Sequence, residues 1–152
     1  MLQTHKWTAF TDISLPDSSL RQIPPLAVLH EWPRVAPFIQ RALERGEGSY
    51  LESDVAMACM GGLWQLWLAE RNGELVAVGI TEIVNFPRRR KCLLRYLAGS
   101  LDTILPHLPE IEAWARKNGC DMMEGYGRKG WGRIMRGWTE RYVILQKEIS
   151  HG

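Results

Sequence analysis

The residues with the plainest chemical potential are a run of four consecutive cations in the middle of the chain. Such a run favours contact with phosphate, because Lys and Arg make most of the hydrogen bonds between proteins and nucleic-acid backbones. The formal net charge is only +2, however, and no nucleic-acid reader motif accompanies the run. We favour a solvated hairpin turn, and keep nucleic acid or an acidic protein surface as the alternative target. The run is Arg88, Arg89, Arg90 and Lys91.

Other reactive residue types are too scattered to form a recognisable site. The four histidines are too far apart in sequence for an HExxH-type pattern, so we expect no metal site. The three cysteines, Cys59, Cys92 and Cys120, are odd in number and have no CxxC spacing. We interpret all three as reduced, buried small hydrophobes, with a reactive thiol as the alternative.

Length and composition indicate one soluble globular domain. The chain has 152 residues, of which 45% are hydrophobic and 24% charged, both ordinary for such a domain. It contains no apolar run long enough to span a membrane, and its first residues lack the apolar core of a secretory signal. We therefore expect it to stay in the cytoplasm where it is made. Seven tryptophans suit a dense core or a set of aromatic anchors at a binding surface.

The first thirty residues differ from the rest of the chain. Prolines at 16, 24 and 25 interrupt them, and neither helical nor strand periodicity persists. We predict an extended N-terminal arm over residues 1–30 and a domain over residues 31–152. A first strand followed by a long surface connection is the favoured form of this arm, and a partner-binding arm is the alternative.

Two helices are predicted next. Apolar residues recur at helical spacing from Trp32 until Gly46 ends the pattern. A shorter helix follows, capped by Ser49 or Ser53 and ended by Gly61. Its apolar side is assigned to Val55, Met57, Ala58 and Met60.

Three strands are predicted over residues 63–69, 75–84 and 92–98. The first is apolar on both alternating faces, which indicates a strand covered on both sides. Asn72-Gly73 should form a type I′ hairpin, because both residues tolerate positive φ. The basic run occupies the turn between the second and third strands.

The second half of the chain alternates helices and strands. A helix that opens at Gly99-Ser100 should break near Pro106 and continue from about Pro109 to Asn118, where Gly119 caps it. A strand over residues 121–126, a short helix over 131–138 and a final strand over 142–149 follow. Trp131 and Trp138 are assigned to the core.

This order of elements resembles the GNAT superfamily of N-acetyltransferases. Three segments, QLWL at 65–68, IEAWARKNGC at 111–120 and GRKGW at 127–131, are similar to GNAT-like proteins of tailed bacteriophages, a group that includes an internal virion protein. The resemblance covers about residues 31–149. It implies an α/β fold with a mixed, mostly antiparallel twisted sheet and helices on both faces.

The resemblance also implies where an acyl-CoA would bind. In the superfamily, the cofactor lies where the fourth and fifth strands splay, and a Q/R-x-x-G-x-G/A loop holds its pyrophosphate at a helix N-terminus. The corresponding residues are Leu97, Ala98, Gly99 and Ser100. This turn has one glycine, and Asp102 places a negative charge in the first helical turn. We therefore expect no cofactor, with acetyl-CoA as the cofactor if the protein is active.

Catalytic residues follow from the same resemblance. Acetyl transfer needs a general base for the amine and often a tyrosine that protonates the thiolate. Glu82 and Glu124 are the candidate bases and Tyr126 is the candidate acid. Solvated or ion-paired carboxylates and a packed tyrosine ring are the alternatives.

The favoured hypothesis is a phage GNAT-fold protein with a degenerate acyl-CoA site that acts as a structural or interaction module. Its expected partners are virion proteins or copies of itself, and its expected location is the host cytoplasm or the virion. An active acetyl-CoA-dependent N-acetyltransferase is the first alternative. A host-directed binding protein that uses the basic run is the second.

Overall fold

Five strands form one sheet whose spatial order follows the chain. The computed structural model describes residues 17–127 and 129–152, so most of the predicted arm lies outside the described residues. Strands β1 to β4 pair antiparallel with their neighbours, whereas β4 and β5 are parallel. This confirms the mixed, mostly antiparallel sheet. The strands are β1 (Ser19–Ile23), β2 (Gln65–Arg71), β3 (Glu74–Asn85), β4 (Arg90–Gly99) and β5 (Met122–Gly125).

Helices cover both faces of the sheet, as predicted. One core joins α1 and α2 to the face that carries Leu66, Leu68 and Ile80. The other joins α4 and α5 to the face that carries Trp67 and Cys92. The helices are α1 (Val28–Leu43), α2 (Glu52–Met60), α3 (Leu101–Ile104), α4 (Leu108–Lys117) and α5 (Trp131–Ile134).

The described part of the predicted arm contains regular structure. Ser19–Ile23 is the edge strand β1, and α1 begins at Val28 rather than at Trp32. The prolines at 24 and 25 precede or open the 3-10 turn Pro25–Ala27, and Pro33 and Pro37 lie inside α1. Burial of Val28, Trp32, Val35 and Ile39 against the sheet stabilises the helix despite the donors that the prolines lack.

A closed network of four charges joins β1, α1 and β2. Arg21 contacts Glu70 at 2.6 Å and Glu31 at 3.1 Å, and Arg34 contacts both carboxylates at 2.7 Å. Hydrogen bonds from Arg21 and Arg34 lower the pKa of Glu70. Burial opposes ionisation of Glu31, yet the same two arginines lower its pKa as well. The network fixes the edge strand to the helix that covers it.

The second helix is present, but its predicted cap is wrong, and its predicted apolar side is correct at Val55 and partly at Ala58 but wrong at Met57 and Met60. Neither serine caps α2; the Asp54 carboxylate instead accepts a hydrogen bond of 2.8 Å from the backbone N–H of Leu51. The buried residues are Val55, Ala56 and Cys59, whereas Met57 is 66% exposed. α2 packs mainly against α1 and the 3-10 turn Pro25–Ala27.

The hairpin and the broken helix are confirmed. Asn72 and Gly73 have φ of 53° and 79°, as a type I′ turn requires. Helix α3 ends at Ile104, the 3-10 turn Leu105–His107 contains Pro106, and α4 runs from Leu108 to Lys117. Gly119 follows with φ of 83°.

The predicted final strand is wrong. Helix α5 ends at Ile134 instead of Trp138, because Met135 is extended and Gly137 has φ of 85°. Residues 139–152 have no regular secondary structure, and the apolar side chains of 142–149 are exposed. A strand needs a paired neighbour, and no backbone hydrogen bond joins this segment to the described sheet.

The tryptophan-bearing helices contribute to the core as predicted. Trp131, Trp138 and Trp114 pack against the cluster that contains Ile111 and Met135. The described chain contains no helix whose length and apolar character would let it cross a bilayer.

Candidate functional site

The fourth and fifth strands separate partway along β4. Their parallel pairing ends at Leu94 and Gly125, whereas β4 continues to Gly99. Beyond this point, the described residues pair with β4 on the β3 side alone. The structure therefore opens between the two strands at the place where the resemblance puts an acyl-CoA.

A β-bulge lies at the start of this opening. Tyr96 is opposite Ile80 and Leu94 is opposite Thr81, so Arg95 has no partner across the ladder. A bulge inserts one residue and redirects the strand. Here it bends β4 away from β5 directly after the last residue that both strands share.

The predicted cofactor residues lie at the far end of the opening. Leu97 and Ala98 belong to β4, and Ala98 is 6% exposed within the core. Gly99 has φ of +104°, and a Cβ there would lie 2.6 Å from the carbonyl oxygen of Val76. Glycine is required at 99 because the turn approaches β3 closely, which is a structural use of the glycine.

The first turn of α3 lies where the resemblance places the pyrophosphate. The carbonyl oxygen of Ser100 accepts hydrogen bonds from the N–H groups of Thr103 and Ile104, at 3.0 and 3.1 Å. The exposed Asp102 adds a negative charge to the same turn. A carboxylate there interacts well with the helix dipole but repels a phosphate.

The two candidate bases share one row of the sheet. Glu82 pairs with Leu93, and Leu93 pairs with Glu124, so both carboxylates lie on the same face, roughly 10 Å apart at Cα. Each has a cation partner: Arg95 contacts Glu82 at 3.0 Å, and Lys91 contacts Glu124 at 2.8 Å. The structure brings the carboxylates together as two ion pairs.

Tyr126 lies just beyond the end of β5, two residues after Glu124. Its side chain is 74% exposed, so it is not the packed ring that the sequence also allowed. The row of carboxylates and the turn at Leu97 are separated by roughly 13 Å along β4. The structure thus places the catalytic candidates at one end of the opening and the cofactor candidates at the other.

Arg95 is the centre of an aromatic cluster that sequence reasoning missed. Its guanidinium carbon lies 4.3 Å from the ring centroid of Trp64 and 5.3 Å from that of Tyr50. It also donates hydrogen bonds to the Tyr50 hydroxyl at 2.9 Å and to Glu82 at 3.0 Å. A cation over two aromatic faces is well held. Arg95 therefore lies between the aromatic cluster and Glu82 and contacts both.

Tyr96 borders the same cluster. Its ring centroid lies 6.4 Å from that of Trp64, and burial raises its pKa, although the neighbouring Arg95 acts in the opposite sense. The hydroxyl is therefore protonated at neutral pH. The only sequence signal for this cluster was the charge of Arg95 inside an otherwise apolar strand.

The basic run is mostly bound within the fold. Arg90 donates hydrogen bonds to the backbone oxygen of Asn118 and to the side chain of Asn85, at 2.9 and 2.8 Å. Lys91 pairs with Glu124, and Arg89 lies 3.9 Å from Asp121. Of the run, only the exposed Arg88 and Arg89 lie in the hairpin turn between β3 and β4. The prediction that the whole run occupies the turn is wrong, because Arg90 and Lys91 pair with β3 as the first residues of β4.

Two surface grooves lie away from the predicted site. One of about 260 Å³ runs beside β5 and α4, and one of about 560 Å³ lies beside α5. Neither is lined by the candidate bases, by Tyr126 or by residues 97–100. Among residues 17–127 and 129–152, no three His, Cys, Asp or Glu side chains converge as metal ligands would.

Comparison with known proteins identifies similar structures but no similar sequence. The sequence matches no protein-family profile and no curated protein sequence. The structure is similar to an aminoglycoside acetyltransferase from a soil metagenomic sample, crystallised with sisomicin, with a TM-score of 0.67, 7% identity and coverage of 88% of this chain and 96% of that one. A GCN5-related N-acetyltransferase from Ralstonia eutropha is similar with a TM-score of 0.61 and 10% identity, over 86% of this chain and 98% of that one. A predicted acetyltransferase from Clostridium acetobutylicum, crystallised with acetyl-CoA, is similar with a TM-score of 0.64 and 11% identity, over 86% of this chain and 96% of that one.

The chain therefore has the fold of the GNAT acetyltransferases. Identities this low establish the architecture alone, since one fold supports many functions. The residues that bear on function line the opening between β4 and β5.

Proposed function

We propose that this protein is a non-catalytic GNAT-fold module that acts by binding other proteins, as a component encoded by a tailed bacteriophage. The observation that carries the proposal is the turn that enters α3. Its one glycine is needed for the close approach to β3, and Asp102 occupies the first helical turn. Neither feature favours a bound diphosphate.

The charges beside the opening support the same conclusion. Both candidate bases are engaged by cations, and Arg95 fills the aromatic cluster beside Glu82. A general base must reach the proton that it removes, and a substrate amine would have to displace Arg95 first. The arrangement stabilises the sheet face without offering a vacant acceptor site.

The phage assignment rests on the resemblance of the segments at 65–68, 111–120 and 127–131 to GNAT-like phage proteins. The proposed location is the host cytoplasm during infection, followed by incorporation into the virion. Mass spectrometry of purified particles tests this location. Recovery of peptides from this chain at a stoichiometric level is expected, and their absence from particles contradicts it.

Acetyl-CoA binding tests the cleft directly. We expect no rise in melting temperature and no heat of binding when acetyl-CoA is added. Binding would be readily detected, because a ligand present at 100 times its Kd adds about 2.7 kcal/mol to the free energy of unfolding. An Asp102→Asn variant is the matched control for charge, and an active GNAT enzyme is the positive control. Saturable binding by the unchanged chain overturns the proposal. Binding only by the variant assigns the loss to Asp102.

An active N-acetyltransferase is the second candidate. It is favoured by the bulge at Arg95 and by the divergence of β4 from β5, which produce the opening that such enzymes use. Acetyl transfer to an amine, abolished by Glu82→Ala, Glu124→Ala or Tyr126→Phe, would establish it. Turnover that survives all three changes would exclude these residues from the chemistry.

A further inference from the structure

The segment after α5 presents an unusual amount of apolar surface. Within residues 142–149, the exposed fractions of Tyr142, Val143, Ile144, Leu145 and Ile149 range from 60% to 90%. Isolated exposed apolar residues are common, but a continuous run of four marks an interaction surface or an aggregation hazard. We therefore expect another surface to cover this segment.

Its sequence pattern is that of an internal strand. Alternate residues of a strand point to opposite faces, so Tyr142 and Ile144 share one face while Val143 and Leu145 share the other. Aromatic and β-branched residues favour strands. A strand with apolar residues on both faces is covered on both sides in its final environment.

The described sheet offers a free edge that such a strand could join. β5 pairs with β4 on one side, and no described residue pairs with its other side. An open edge exposes a row of backbone donors and acceptors. A groove of about 260 Å³ runs beside this edge, and its lining includes Ala115, Cys120, Met122 and Met123.

One face of the segment and the groove carry opposite charges. Lys147 lies on the same face of the strand as Val143 and Leu145, and the groove is bordered by Glu112 and Asp121. Such rim charges favour correct docking more than they add affinity.

The chain is fixed to its own domain directly before the segment begins. The Glu140 carboxylate accepts hydrogen bonds from the backbone N–H groups of Gly130 and Gly132, at 2.8 and 3.0 Å. These bonds lower the pKa of Glu140. The segment leaves the domain at residue 141 and makes no backbone hydrogen bond to the described part of its own sheet.

We propose that residues 142–149 pair with the free edge of β5 in a second copy of this chain, forming a two-fold dimer by mutual exchange. One symmetry operation pairs both free edges and covers both apolar segments. Eight residues in a strand span roughly 26 Å, more than the length of β5, so the exchanged strand extends the sheet along its whole edge. The apolar residues on one face of the segment fill the groove of the partner.

This proposal deepens the protein-binding function by naming its first partner. It is independent of the cleft, because molecular mass and acetyl-CoA binding are measured separately. A protein that binds acetyl-CoA and also dimerises would overturn the proposed function while supporting the exchange.

The test is the mass of the full chain in solution, measured by light scattering and sedimentation. We expect twice the 17.4 kDa of one chain. Leu145→Lys, at a side chain 90% exposed within one copy, should give the single-chain mass without loss of helical or sheet signal. Deletion of residues 142–152 should do the same. Leu26→Lys, at an apolar side chain 99% exposed outside the segment, is the matched control and should leave the dimer intact.

Hydrogen exchange locates the contact. In the full chain, the amides of 142–149 and of β5 should be protected, and Leu145→Lys should remove both protections together. A single-chain mass at every concentration overturns the proposal, whether those amides are exposed or are protected by the chain's own sheet edge. A dimer that survives both Leu145→Lys and the deletion also overturns it.

Discussion

Thr81 is a buried polar residue whose hydrogen bonds connect three side chains on neighbouring strands. Its hydroxyl accepts a hydrogen bond from the indole N–H of Trp67 at 2.9 Å and donates one to Gln65, also at 2.9 Å. Thr81 is fully buried and Trp67 is 5% exposed. A buried donor without a partner is costly, so this short relay is what permits an indole inside the sheet.

Replacing Thr81 with Val should destabilise the protein by about 1–3 kcal/mol, because the Trp67 N–H loses its acceptor at nearly constant volume. Urea unfolding monitored by tryptophan fluorescence measures the change, with an unchanged denaturant slope. Thr139→Val, at an exposed threonine, is the control and should stay within about 0.5 kcal/mol of the unchanged chain. Equal stabilities of the two variants would contradict this account of the relay.

For individual residues, the sequence predicted which side chains are candidates for the site better than it predicted their contacts. Glu82 and Glu124 could be chosen as candidate bases because the resemblance implies acetyl transfer, which needs a carboxylate or similar group. Their cation partners could not, since Arg95 and Lys91 meet them only through strand pairing. Tyr50 reaches Arg95 from a loop 45 residues earlier in the chain, a separation at which local periodicity carries no information.

Among the elements, β4 determines the shape of the candidate site. Its bulge at Arg95 separates it from β5, and its last residue, Gly99, fixes how closely the turn approaches β3. The strand and the helix after it could be predicted from apolar runs and glycines. The bulge could not, because it depends on the register with β3 and not on the composition of β4.

Gly99→Ala should destabilise the protein by about 1–3 kcal/mol, because a side chain at φ +104° is strained and its Cβ would meet the Val76 carbonyl oxygen. Gly48→Ala is the matched control: its φ is +88°, but no atom lies within 4 Å of the added Cβ. The difference between the two melting temperatures isolates the close approach. Similar losses for both variants would show that backbone conformation alone requires Gly99.

The charge network between β1, α1 and β2 should make stability depend on pH. Glu31 and Glu70 have lowered pKa values when folded, so their contribution is present above the ordinary carboxyl pKa of about 4.3 and is lost as pH falls through the folded values. Glu70→Gln should therefore flatten the decrease in unfolding free energy between about pH 5 and 3. Denaturant titrations across this range measure it. Glu112→Gln, which breaks an exposed pair in α4, should leave the slope unchanged.

At the scale of the whole molecule, the sheet carries a core on each face, and a third, smaller cluster around Ile104 shares Leu20 and Leu97 with the α4 side. The α1 and α2 side contains Cys59 and the α4 side contains Cys92. The sequence predicted both helical layers because their apolar periodicity is local information. It also predicted a strand over 142–149, which the described structure does not form, because strand pairing is non-local and this segment makes no backbone hydrogen bond to the described sheet.

The two buried thiols can report whether both cores unfold together. Burial raises the pKa of Cys59 and of Cys92 to about 12, so each is almost wholly protonated at pH 8 and inaccessible while folded. A small single domain usually unfolds cooperatively, and both thiols should then be labelled at one common rate that rises with urea along the global unfolding curve. Mass spectrometry of digested samples assigns the label to each cysteine. Faster labelling of Cys92 than of Cys59 would instead show that the α4 side opens alone.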